Sequence, residues 1–256
     1  MTEFDETGWL RFGRDPELAR WVEAVRPAAL ATLEAPDYAH WWRNERTWFV
    51  GVNALDNDET GAVAGGPPLS GQAQCFARET VRAQVRWDRA QVSAIRTGYP
   101  RRGEDSAAAF DFRKRRDAAH IDGLMMVDGK RKLLEPQAFL LGIPLVDTTP
   151  GASPLVLWEG SHKIMAQALG EVLRKHPVAR WGEVDLTKTY KTARRRCFRE
   201  CRRVELHAGV GEAYLLHRLT LHGVSPWQDG AVAPDEGRVV VYFRPVLEDL
   251  SRWPQP

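Results

Sequence analysis

The stretch Gln137 to Val146 (Gln-Ala-Phe-Leu-Leu-Gly-Ile-Pro-Leu-Val) is apolar almost without a break. A run this apolar at strand length has no face fit for water, so it reads as a strand inside a packed sheet. Short segments of the same kind follow at Leu155 to Trp158, Val204 to Leu206, Ala213 to Leu216, Leu219 to Gly223 and Arg238 to Phe243. Turns such as Asp147 to Pro154 and Gly209-Val210-Gly211 part them. Many short strands with frequent turns predict a sandwich or barrel of the jelly-roll kind. The first half adds a strand over Trp48 to Asn53 and most of the helices. Asp15 and Pro16 suit a helix start, and Leu18, Trp21, Val22 and Val25 carry it to Arg26 at helical spacing. Pro27 interrupts there, and a second short piece runs to Glu34. Val81, Val85, Val92 and Ile95 predict a helix over Glu79 to Ile95, and Ile164, Ala168, Leu169 and Leu173 one over Lys163 to Lys175. The fold expected is mainly β with flanking helices.

A chain of 256 residues can bury a large core as one unit, and no repeat, low-complexity run or linker divides it. The expectation is a single domain, 1–256, with 1–115 mostly helical support plus outer strands and 116–248 the core. A net charge of +2, with both signs interspersed, gives no electrostatic footprint for nucleic acid. The acidic opening Met-Thr-Glu-Phe-Asp-Glu lacks the pattern of a secretory signal, and no apolar run is long enough to span a bilayer. Cys75, Cys197 and Cys201 are too few for a disulfide framework, so free thiols in a reducing cytoplasm are expected.

Chemistry concentrates at Ala118 to Gly123, Ala-Ala-His-Ile-Asp-Gly. In an extended strand, positions two apart share a face, so His120 and Asp122 point the same way and Ile121 the other. One imidazole and one carboxylate side by side are two-thirds of the facial set that binds ferrous iron and leaves positions open for reactants. A second histidine has to come from a distant strand. His40, His162, His176 and His207 lie in loops or at element ends, while His217 and His222 share one predicted strand at odd spacing. They face opposite ways, so at most one joins the pair. Gly223 lets the chain turn away after His222.

The order of these features resembles a known family. His120-x-Asp122, an apolar strand, a Thr-Pro-Gly turn, Leu-Val-Leu-Trp-Glu-Gly-Ser-His, a helix, Gly-x-Gly-Glu-Ala-Tyr, His222-Gly-x-Ser-Pro and Gly-Arg238-Val-Val-Val-Tyr follow one another over the second half of the chain. This is similar to the phytanoyl-CoA dioxygenase family of iron(II)- and 2-oxoglutarate-dependent oxygenases. The resemblance implies a double-stranded β-helix core of cupin-like kind, with His120, Asp122 and His222 as iron ligands. It also implies that Arg238 anchors the distal carboxylate of 2-oxoglutarate, with Arg244 the runner-up. The implied reaction is hydroxylation of a small organic substrate by dioxygen, with release of succinate and carbon dioxide. Glu159, Trp227 and Ala119 stand where the family carries proline, asparagine and tryptophan, so the substrate stays open. Two alternatives remain: a cupin-like metal enzyme that does not use 2-oxoglutarate, and a non-catalytic binding relative. Finally, Arg194, Arg195, Arg196, Arg199, Arg202 and Arg203 concentrate charge within Thr187 to Arg203. The plain reading of this cluster is a solvated helix face; by resemblance the segment also lies beside the site mouth, which would imply a mobile lid and an anionic substrate.

Overall fold

The computed structural model describes residues 2–81 and 85–256. The apolar run becomes β7 (Phe139–Pro144), six residues all buried. It is buried on both sides because it lies inside a seven-stranded antiparallel sheet with layers on either face. β1 (Trp9–Phe12), β2 (Trp42–Arg43), β3 (Trp48–Phe49), β4 (Gln91–Ile95), β10 (Ala213–His217) and β12 (Arg238–Phe243) complete that sheet, in the order β1-β10-β7-β12-β4-β3-β2. A second sheet of β8 (Leu155–Trp158), β9 (Arg203–Leu206) and β11 (His222–Val224) is ordered β11-β8-β9. A hairpin of β5 (Leu124–Val127) and β6 (Lys130–Leu133) stands apart from both.

Alternation along the strands divides the apolar side chains between two cores. Leu140, Tyr214, Leu216, Val240 and Tyr242 of the large sheet meet Leu155, Leu157 and Leu206 of the small one. Leu141, Ile143, Leu215, Val239, Val241 and Phe243 point outward, into the helical layer. There α2 (Pro16–Glu34) lays Trp21 against Phe243, ring centroids 5.9 Å apart, with the indole N–H on the Gly61 carbonyl. Each such buried side chain contributes about 1.5–3 kcal/mol. α1 (Glu3–Thr7), α3 (Gln72–Val81), α4 (Ala107–Arg116), α5 (Ser161–Leu173) and α6 (Thr187–Glu200) complete the helices.

Three expectations change. Pro27 does not end its helix: α2 runs through to Glu34 with Pro27 on the exposed side. The helix expected over Glu79 to Ile95 is instead the end of α3 and then β4, in which Val92 and Ile95 are core residues of a strand opposite β12. Residues 82–84 of that expectation lie outside the described residues. Thr187 to Arg203 does not have the sparse apolar anchoring expected of a lid. Its first fourteen residues form α6, which buries Tyr190, Ala193 and Cys197 in the main core and packs on α5. No helix among the described residues is long and apolar enough to cross a membrane.

Candidate metal centre

The chain leaves α4 through two consecutive left-handed residues, Asp117 (φ 55°) and Ala118 (φ 51°). Each costs a residue with a Cβ about 1–2 kcal/mol, so surrounding contacts have to hold the turn. The turn delivers His120 opposite His222, the first residue of β11. Their backbones exchange two hydrogen bonds, His120 N–H to His222 O at 2.8 Å and His222 N–H to His120 O at 2.9 Å. The extended strand expected at Ala118 to Gly123 is therefore a single bridge between turns, yet His120 and Asp122 still converge. Gly123 (φ 86°) then turns the chain away into β5, against the Glu135 carbonyl. His217 and His222 are not on one strand either. β10 ends at His217, and the residues between them carry the chain across to the other sheet.

Within this frame His120, Asp122 and His222 each offer one ligand atom, all within 4.8 Å of one another. Asp122 Oδ1 lies 3.4 Å from His120 Nε2, and Oδ2 lies 3.8 Å from His222 Nε2. Both rings are tied from behind. His120 Nδ1 is 3.0 Å from the Ala118 carbonyl, and His222 Nδ1 is 2.9 Å from that of Thr220. A carbonyl can only accept, so each Nδ1 carries the proton and each Nε2 lone pair faces Asp122 and the cavity. Burial pushes His222 down to about 4 and outweighs the upward pull of Asp122, so the ring is neutral. For Asp122 burial acts upward. The Arg244 guanidinium, 3.8 Å away, opposes it, and the carboxyl is held well below its ordinary range. Two imidazoles and one carboxylate are the donor set that divalent iron accepts, and such residues could hold it here.

The cavity in front of the three holds about 450 Å³, counting its open mouth, with Trp48, Leu140, Leu155 and Val224 as apolar walls. Gln91, Ser93, Tyr242 and Arg244 add polar groups. A larger cleft, about 1170 Å³ around Trp87, Phe139 and Leu247, is lined by none of the three converging residues. The two arginines left open by the sequence differ sharply in surroundings. Arg244 reaches the cavity, with Nη1 3.8 Å from Asp122 Oδ2 and Nη2 on Gln91 Oε1. Arg238 lies deeper between the sheets, 7% exposed. Its Nη2 contacts the Tyr214 and Tyr242 hydroxyls at 3.2 and 3.3 Å, and its Nη1 has no hydrogen-bond partner among the described residues. Tyr242 lines the metal-side cavity and touches Arg238, so it spans the two environments.

Among the described residues lining the cavity there is none of the six clustered arginines. Arg196 and Arg199 pair with Glu200, Arg202 with Glu159, and Arg203 with Asp117. The cluster is therefore not a guanidinium funnel at the mouth. Sequence reasoning missed Asp117, Tyr214, Tyr242 and Gln91. The two tyrosines had a usable signal, since Tyr242 stands four residues after Arg238 on one strand and so shares its face.

The fold is one on which non-haem iron enzymes that depend on 2-oxoglutarate (α-ketoglutarate) are built. Among the solved structures that share it are these three. The non-haem α-ketoglutarate-dependent carbocyclase SnoK from nogalamycin biosynthesis superposes with a TM-score of 0.53 at 16% identity, over 98% of this chain and 90% of its own. The epimerase SnoN of the same biosynthesis, also α-ketoglutarate-dependent, gives 0.53 at 13%, over 95% of this chain and 78% of its own. EctD from S. alaskensis, solved with bound Fe, gives 0.50 at 15%, over 95% of this chain and 74% of its own. At these identities the likeness is one of fold. No protein-family model matches the chain, and no curated protein matches it in sequence.

Proposed function

We propose that this chain is an Fe(II)- and 2-oxoglutarate-dependent dioxygenase with a double-stranded β-helix core, related to the phytanoyl-CoA dioxygenase family. It would hydroxylate a small organic substrate and release succinate and carbon dioxide. The observation that carries the reading is the convergence of His120, Asp122 and His222 within 4.8 Å, rings tied from behind and one side open to a cavity. SnoK and SnoN, which are α-ketoglutarate-dependent, and EctD, which binds Fe, support the cofactor set as proteins of the same fold.

Iron bound at the three side chains, together with the keto acid, would supply the oxidising power of dioxygen. The chain's own work is to hold and orient. The Ala118 and Thr220 carbonyls fix both imidazoles as Nδ1–H tautomers. Asp122 stays ionised, and Leu140, Leu155 and Val224 keep the cavity walls apolar. Arg238 is a buried cation with no acidic partner among its hydrogen bonds, and a planar guanidinium takes a carboxylate through two parallel hydrogen bonds. It is the residue we assign to the remote carboxylate of 2-oxoglutarate.

The test is anaerobic titration of the purified chain with ferrous iron and then 2-oxoglutarate. A weak visible charge-transfer band, appearing with both and saturating at one equivalent of metal, is the expected result. Iron bound without any such band would favour the cupin-like metal enzyme that does not use 2-oxoglutarate.

A further inference from the structure

Two of the clustered arginines reach the back of the triad rather than its mouth. Arg203, the first residue of β9, grips the Asp117 carboxylate with two hydrogen bonds, Nε to Oδ2 at 2.9 Å and Nη2 to Oδ1 at 2.8 Å. The Asp117 side chain is 5% exposed. Arg194 of α6 stacks on Phe112 and Tyr190 and points Nη1 at the Ala119 carbonyl, 3.4 Å away. The residues so held are the left-handed turn itself. Its Ala118 carbonyl orients the His120 ring, and its Asp117 carbonyl accepts the Val224 N–H at 2.9 Å. That second bond docks the turn on the strand that carries His222. The approach is so close that a Cβ on Gly223 would sit 2.1 Å from the Asp117 oxygen. Both histidines therefore depend on one short segment with an unfavourable backbone.

We propose that the Asp117–Arg203 ion pair is a positioning device for the metal centre, holding the turn from which His120 projects against the strand of His222. This rests on reading His120, Asp122 and His222 as metal ligands. Non-glycine residues keep left-handed angles only while their surroundings over-determine them. A bidentate guanidinium–carboxylate pair fixes both distance and plane, which an ammonium cannot do. Release of Asp117 lets the turn relax, moves the Ala118 carbonyl off His120 Nδ1 and loosens the bridge to His222. The neighbouring Arg202–Glu159 pair at 2.7 Å has no such contact with the turn and supplies an internal control.

The experiment is calorimetric titration of the full chain with Co(II), a redox-stable probe of the metal position, with thermal unfolding recorded in parallel. Asp117→Asn and Arg203→Gln are each expected to raise the cobalt Kd about ten- to a hundredfold, the usual effect of losing an outer partner of a metal ligand. The double variant should bind no more weakly than the poorer single, because Arg203→Gln, which also frees Glu205, already removes everything that the Asp117 change removes. Arg202→Gln should stay within about twofold of the parent. Should the glutamine variant fail to fold, Arg203→Lys decides, since it keeps the buried carboxylate compensated but loses the fork. A clear rise in its cobalt Kd supports the device, and a Kd equal to the parent's overturns it. Unchanged cobalt affinity in folded single variants, whatever their melting temperatures, makes the pair merely structural and overturns it too. A parent chain that binds no cobalt would instead remove the metal-centre reading, and this inference with it.

Discussion

Arg238 and Arg244 stand six residues apart on or just beyond β12, so the strand repeat gives both to the side facing the small sheet. Among the described residues only Arg244 of the two has a carboxylate within ion-pair reach, and that carboxylate is Asp122. Arg238 is buried with two tyrosine hydroxyls and an unpartnered Nη1, a cation awaiting an anion. Losing one partner of such a desolvated pair costs about 2–5 kcal/mol. Arg238→Gln is therefore expected to weaken 2-oxoglutarate binding well over tenfold, read from the charge-transfer band, while iron affinity holds. Arg244→Gln should leave that affinity nearly unchanged, and the opposite pattern would move the anchor to Arg244. His120→Ala or His222→Ala should each abolish stoichiometric iron binding in a chain that stays folded by circular dichroism. A variant binding iron like the parent would break the ligand assignment. His120 and Asp122 were legible because two residues of local spacing suffice to put them together. The pairing of Asp117 with Arg203 was not, because 86 residues separate them and a run of arginines says nothing of which one holds a carboxylate. Gly223 was singled out for a turn, whereas its reason is the Asp117 carbonyl pressed against its α-carbon.

Elements whose burial has one period were legible, and those with competing periods were not. β8 and β12 have the bounds expected from their apolar runs, and α5 lies within two residues of its expected span. Val92 and Ile95 also suit a helix face, and only the pairing of β4 with β12, far along the chain, decides for strand. Pro27 misled for another reason. A proline costs a helix interior about 3 kcal/mol, and the burial of Trp21, Val25, Ala29 and Leu33 on either side outweighs that loss. Pro27→Ala restores a backbone donor on the exposed side of α2. The gain is offset in part by the freer unfolded chain, by about 0.4–1 kcal/mol. A net stabilisation of about 2–2.6 kcal/mol is expected in urea denaturation, and a destabilised variant would show that the fixed φ of Pro27 suits α2. For α6 the expectation reverses. Arg196 and Arg199 are paired on an exposed surface, so neutralising Arg195, Arg196 and Arg199 together should leave iron and 2-oxoglutarate binding unchanged.

At the scale of the molecule, both ends of the chain close over a pair of neutral histidines away from the metal centre. His162 of α5 and His217 of β10 stack with ring centroids 5.1 Å apart, and Phe4 of α1 lies 6.1 Å from His217. His162 Nε2–H donates to the Asp5 carbonyl at 3.2 Å, and Gly8 leaves no room for a Cβ against the ring. Nothing local marked this contact, since 157 residues separate His162 from Asp5. Burial, chiefly, pushes His162 down to about 4. Lys163 and Arg218 act the same way, and Asp5 opposes through its carbonyl and its charge. His217 is driven well below its ordinary range by burial, then by Arg218 and His162. The folded chain thus prefers both rings neutral, while the unfolded chain protonates them near 6.5. The stability His162 contributes is complete above 6.5, falls as pH drops from 6.5 toward 4, and stays lost below. Its size is about 3 kcal/mol, from 1.36 kcal/mol for each unit of pH. Asp88 works against this in the same window. Burial raises it to about 6, so the fold gains as that carboxyl takes up a proton between 6 and 4. A single acid titration therefore mixes two opposite slopes, and the clean measurement is a difference. In urea denaturation at pH 7, 5.5 and 4, the stability of the parent minus that of His162→Gln is expected to fall by about 3 kcal/mol across the range. Asp88 is common to both chains and cancels. A difference that does not change with pH would mean that His162 is not held neutral beneath α1, and that the N-terminal segment closes over the pair for packing alone.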